Sequence, residues 1–119
     1  MLPTELVNNI NFNDSYVNNI IFLNGTIIIN INLCMWKQKG YKENDPELKE
    51  VNIIFSDVTN YNWNSNKRKE DIFYDTIIEI KAEDNKITVI LEDEELLKVS
   101  EVTVLSFECA EVQLNYITN

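Results

Sequence analysis

Residues 16–33, YVNNIIFLNGTIIININL, decide the fold, because two apolar runs meet there at Asn24-Gly25. An Asn-Gly pair between strands suits a type I′ turn, whose two central residues both take positive φ. Gly adopts that conformation freely and Asn tolerates it. The turn sets a register in which Leu23 faces Thr26, Phe22 faces Ile27, Ile20 faces Ile29 and Tyr16 faces Leu33. One face of the hairpin then carries Tyr16, Ile20, Phe22, Ile27, Ile29, Ile31 and Leu33, with Asn18 the one polar intruder. Side chains alternate with period two, so a slip of one residue would turn that whole set to water.

A second hairpin follows the same logic, with DTIIEIKAE and KITVILE flanking Asp84-Asn85. Two-residue pairing sets Ala82 against Ile87, Ile80 against Val89 and Ile78 against Leu91, leaving Glu79, Lys81 and Thr88 on a wet face. The two hairpins can be laid over one another, but the likeness is too weak to define a sequence repeat. Further strands are expected at 51–58, 102–107 and 111–117, with a tight reversal at Cys109-Ala110. Residues 5–10 fit a short strand or a helical turn. Residues 37–50 read as a loop with one helical turn at Pro46, and 59–71 as a polar loop holding Tyr61, Trp63 and Lys67-Arg68-Lys69. Residues 96–101 fit a short helix or an irregular strand equally well. Trp36, directly after a strand, is expected in the core. The pattern is all-β: an antiparallel β-sandwich or partly open barrel of about seven strands, with at most one or two short helical turns, in a single domain spanning residues 1–119.

The chain has 119 residues, 45% hydrophobic and 25% charged, a composition that supports a core. Its formal net charge of −10 argues against nucleic-acid or anionic-membrane surfaces, which need clustered Lys and Arg. The first fifteen residues lack the basic and apolar regions of a signal peptide, and no apolar run reaches membrane-span length. Together these give the expectation of a cytoplasmic protein. Cys34 and Cys109 are then expected as buried, unpaired thiols. The heavy use of Ile, Asn and Lys, with Lys far ahead of Arg, points to an AT-rich bacterial genome.

There is no histidine, which removes the usual general base near neutral pH and the commonest zinc ligand. Two glycines cannot build a phosphate-binding loop. Nothing selects a pair of carboxylates for hydrolysis, and the acidic run lacks the ligand spacing of a calcium loop. No catalytic residue, metal site or cofactor is assigned. The partner-binding candidates are Glu92, Asp93, Glu94 and Glu95, read as an exposed acidic turn, and Tyr61 and Trp63, read as aromatic anchors on the loop at 59–71, as Tyr41 is on the loop at 37–50.

NFNDSYVNNIIFLNGTIIINI resembles the opening of a group of small bacterial all-β domains, in which an Asp-Ser or Asp-Ala step precedes an apolar strand, a tight turn and a second apolar strand. LCMW, VNIIFSDVTNY and LSFECAEVQL are similar to that group's later strands. Many members are uncharacterised, and some resemble immunity proteins of bacterial toxin systems. Relatives often carry histidine where this chain has Asn13, so a role tied to that histidine is not carried over. The resemblance implies a non-enzymatic, acidic immunity-type inhibitor whose protein partner presents a basic surface. The alternative is a small-ligand, carbohydrate-like binding domain using Tyr61 and Trp63. A concave aromatic pocket would favour the second, and a flat or convex acidic face the first.

Overall fold

Eight antiparallel strands form one sheet in the computed structural model, which describes residues 1–93 and 101–117. The strands are β1 (Tyr16–Leu23), β2 (Thr26–Cys34), β3 (Leu48–Ser56), β4 (Thr59–Asn64), β5 (Asp75–Glu83), β6 (Lys86–Asp93), β7 (Glu101–Glu108) and β8 (Glu111–Tyr116). Their spatial order is β4-β7-β6-β5-β1-β2-β3-β8. Helix α1 (Pro3–Asn9) and two single 3₁₀ turns, Met35–Lys37 and Lys69–Asp71, complete the elements among the described residues. None of these helices is long and apolar enough to cross a membrane.

The order is unchanged, read backwards, when each strand is exchanged with the one four places along the chain. The molecule is thus two copies of a four-strand unit related by a pseudo-two-fold. In each, three strands form a meander and the fourth crosses to pair with the third strand of the other unit. The units join where β1 meets β5, at Tyr16 opposite Thr76 and Val17 opposite Asp75. Corresponding residues make corresponding bonds there. Tyr74 N–H donates to Val17 O at 2.7 Å, and its equivalent, Asp14 N–H, donates to Ile77 O at 3.0 Å. Both donors hold positive φ, 60° for Tyr74 and 67° for Asp14.

The sheet folds over at this junction. Between β3 and β7 lie five strand spacings, about 24 Å in a flat sheet, yet the rings of Phe55 and Phe107 meet edge to face with centroids 4.9 Å apart. The inward faces of both units form one core that includes Ile27, Ile29, Ile53, Ile87, Val89 and Leu105. The barrel stays open at two seams. Helix α1, which starts with Pro3 at its first position and buries Leu6, lies across β5 and β8. The turn at Lys69–Asp71 and buried Ile72 cover the equivalent seam beside β1.

The Asn24-Gly25 turn is as expected, with φ of 27° and 77°, and Leu23, Phe22 and Ile20 face Thr26, Ile27 and Ile29. Beyond them the register differs. A β-bulge between Val17 and Asn19 sets Tyr16 opposite Asn32, not Leu33, and turns Val17 inward. Asn18 moves to the outer face, where its amide donates to Asn30 Oδ1 at 2.8 Å. The second hairpin has the same bulge between Ile77 and Glu79, so Ile77, not Ile78, faces Leu91.

Other expectations are corrected. There are eight strands, the eighth being β4 inside the segment read as a polar loop. Strand β3 begins at Leu48, and no helical turn forms at Pro46. Trp36 is 47% exposed, because the 3₁₀ turn lets Met35 pack against the core and swings Trp36 out.

Cys34 and Cys109 are both free and buried. Burial pushes the Cys109 thiol up to about 11 and is the main influence raising that of Cys34. Since the thiolate is the reactive form, a thiol reagent at pH 8 should label neither sulfur quickly in the native protein and both after denaturation without reductant. Finding none after denaturation would reveal a disulfide. Gly25→Ala should cost about 1–2 kcal/mol in urea unfolding through backbone strain alone, because a Cβ there meets no neighbour within 4 Å.

Candidate partner-binding surface

Among the described residues, the four short reversals that join β1 to β2, β3 to β4, β5 to β6 and β7 to β8 gather at one end of the folded sheet. Val58 N–H donates to Gly25 O at 2.8 Å, Cys109 N–H to Asn85 O at 3.0 Å and Ala110 N–H to Ser56 O at 3.1 Å. This places Asp57, Glu83, Asp84, Glu108 and Glu111 at the same end, drawn from three separate segments. Lys86 is the one lysine among them, opposite both Glu83 and Glu108. The N-terminal ammonium reaches Glu111 at 3.9 Å. All but Glu108 are exposed, and Glu108 accepts a hydrogen bond from the Asn60 amide.

Beside this acidic end is an apolar cleft of about 220 Å³ lined by Phe22, Leu23, Gly25, Thr26, Val58 and Tyr61. Leu23 is 56% exposed and Tyr61 46% exposed, both large side chains that the core does not use. Tyr61 packs edge to face on Phe22 with centroids 5.0 Å apart, and Trp63 does so at 6.5 Å. Lys69 Nζ lies 4.4 Å from the centre of the Phe22 ring, a cation–π contact on the same cluster. Burial, then the charge of Glu70, push the Tyr61 hydroxyl above its ordinary value.

Tyr61 and Trp63 both pack against Phe22, and they lie on edge strand β4 and not on a loop. Tyr61 walls the apolar cleft with Phe22, and Trp63 is not among the residues lining that cleft. Trp63 is half-buried and spends its indole N–H on Lys67 O at 2.9 Å. Two wider grooves, about 360 and 630 Å³, run along α1 and β5, and neither is lined by Tyr61 or Trp63. Tyr41 bonds within its own loop, its hydroxyl to Asp45 O at 3.2 Å.

Glu92 and Asp93 lie elsewhere, at the far end of β6, and they belong to that strand and not to a turn. Glu94 and Glu95 fall outside the described residues, as does the 96–100 part of the segment left open between helix and strand; Glu101 begins β7. Strand alternation points Glu92 outward, opposite Thr76 and Val102. Of the carboxylates not among the sequence candidates, Glu83, Asp84 and Glu108 meet through the β5-β6-β7 meander and Glu111 follows at the next turn, while Asp57 joins them because the fourth strands cross over. No protein-family model, curated protein or solved structure matches this chain.

Asp93 points inward and is committed to structure. Lys67 Nζ lies 3.0 Å from Asp75 Oδ1 and 3.0 Å from Asp93 Oδ2, with Asp75 only 1% and Lys67 only 14% exposed. Burial opposes charge on Lys67, but the hydrogen bonds and charges of Asp93 and Asp75 outweigh it and hold the ammonium above its ordinary pKa. With the folded value raised, this contribution is complete below the unfolded-chain value and fades only as pH climbs through the folded one, so it is intact at neutral pH. Lys67→Met strands the Asp75 carboxylate and should cost about 3–5 kcal/mol in urea unfolding. Glu92→Gln should change stability by less than about 0.5 kcal/mol. Equal stability of the Lys67 variant and wild type would show that the buried carboxylate does not depend on this ammonium.

Proposed function

We propose that this chain is a non-enzymatic binding protein that docks its acidic turn end onto a basic surface of a protein partner, in the manner of a cytoplasmic immunity-type inhibitor seated on a bacterial toxin. The observation that carries the reading is the apolar cleft at Leu23 and Tyr61 set directly beside five carboxylates. Binding hot spots pair an aromatic or aliphatic anchor with a surrounding polar rim. A one-signed rim steers encounter with an oppositely charged cleft and raises the association rate more than the final affinity. The carbohydrate-like alternative needs an aromatic-walled pocket, and the cleft, at about 220 Å³, is smaller than ordinary small-molecule sites of roughly 300–1,000 Å³.

The test is association with the protein encoded directly beside this chain's reading frame, measured by stopped flow. Raising salt from about 0.01 to 0.15 M shrinks the Debye length from roughly 30 to 8 Å, and association should slow at least about tenfold. Replacing Asp57, Glu83, Asp84 and Glu111 by their amides should reproduce most of that loss at low salt. Tyr61→Ala should speed dissociation about 30-fold, as expected of a 2 kcal/mol anchor. A quadruple variant that associates at the wild-type rate across this salt range overturns the reading.

A further inference from the structure

The two edges of the sheet are equivalent by the pseudo-two-fold, and they are treated differently. On β8, Val112 turns its N–H and C=O away from β3, and Met1 takes both, donating to Val112 O and accepting from Val112 N–H at 2.9 Å each. The chain thus adds one strand-like residue to that edge. On β4 the phase of pairing can be traced inward from the bond of Cys109 N–H to Asn85 O. That bond makes Lys86 and Glu108 a non-hydrogen-bonded pair, so Leu105 and Phe107 bond to β6 while Val104 and Ser106 bond to β4. Trp63, opposite Leu105, therefore turns its own N–H and C=O outward. Among the described residues β4 has a neighbour on one side only, and no backbone group bonds to the outward N–H and C=O of Trp63.

Exposed edges are usually blunted by charge, proline or a bulge. The sequence of β4, TNYNWN, has neither charge nor proline, and its one bulge, between Thr59 and Asn62, leaves Asn62–Asn64 in regular pairing. The edge runs from the apolar cleft at Tyr61 past the acidic end, where β4 begins at Thr59 opposite Glu108.

We propose that β4 receives an extended segment of the basic partner as a ninth strand of the sheet. Backbone bonds at Trp63 supply affinity, an apolar side chain of the segment enters the cleft at Leu23 and Tyr61, and its Lys or Arg side chains meet Asp57 and Glu108. This rests on the basic-partner reading, and it names how that partner is held.

The probe is a ten-residue peptide of alternating lysine and valine, compared with a twin in which proline replaces each valine. The twin keeps the charge but its prolines cannot donate to a ladder. Amide exchange of the whole protein is followed by NMR. The alternating peptide should slow exchange at Trp63 at least tenfold and leave Val112, already bonded to Met1, unchanged, while the twin gives no protection. Equal binding of the two peptides without protection at Trp63 keeps the basic-partner reading and overturns the added strand. Protection confined to another face does the same. Binding of neither peptide overturns both.

Discussion

The architecture depends on the short junction between β1 and β5. Only Tyr16 with Thr76 and Val17 with Asp75 are paired across it, yet it joins the two four-strand units edge to edge. Just before each of these strands a residue sits at positive φ, Asp14 in one unit and Tyr74 in the other, and each gives its N–H across the junction. A tyrosine in that region carries a steric cost that the 2.7 Å bond to Val17 O offsets. Just after, each strand has a bulge, and bulges bend a strand and sharpen its twist. Pairing that starts and then diverges lets the units fold over, so that Phe55 and Phe107, one from each, meet at the centre.

On this symmetric skeleton the side chains are not symmetric, and the differences locate the chemistry. Ser15 and Asp75 occupy equivalent places. Ser15 is buried and its hydroxyl accepts from Cys34 N–H at 2.9 Å, which a neutral oxygen can do alone. Asp75 is buried with a charge, and needs Lys67 and, through it, Asp93 to make that tolerable. One seam is filled by a true helix with Leu6 at its base, the other by a single 3₁₀ turn, which leaves Phe22 and Tyr61 to close the gap. The exposed aromatic edge arises where the shorter filler does not reach.

The hairpins were legible because Asn24-Gly25 and Asp84-Asn85 determine both turn and register, and the first five pairs away from each turn need nothing else. The bulges were also written in the sequence, though not in the period-two alternation used to read it. Val17 and Ile20, like Ile77 and Ile80, are three apart, and both members of each pair are buried. That spacing inside a strand means one extra residue. Strand β4 does alternate, Tyr61 and Trp63 between Asn60, Asn62 and Asn64, but with only two apolar side chains among asparagines it read equally as a polar loop. The buried lysine was hidden within Lys67-Arg68-Lys69, where the three look alike. Only the fold sends Lys67 inward, Lys69 over Phe22 and Arg68 to Asp71 at 3.2 Å. The acidic end was invisible for a different reason: Glu83 and Glu108 meet across Lys86 in the meander, and Asp57 reaches them only through the crossing of β4 and β8.

How much of that acidity the fold itself requires can be weighed residue by residue. Asp57 and Asp84 sit at positive φ, 56° and 52°, where a short polar side chain is favoured. Asn serves equally well, and does so in this chain at Asn24 and Asn60, with φ of 27° and 52°. Glu83 and Glu111 lie at the ends of extended strands, where no backbone demand favours a carboxylate. Gathering such groups around a single lysine costs repulsion that neutral residues would avoid. Folding therefore accounts for turns at these positions and not for their charge. Solubility needs net charge, but not its concentration beside an exposed leucine and tyrosine. A cationic partner that meets the molecule at this end would supply the missing reason, because it gains from the charges on approach and from the apolar cleft once seated.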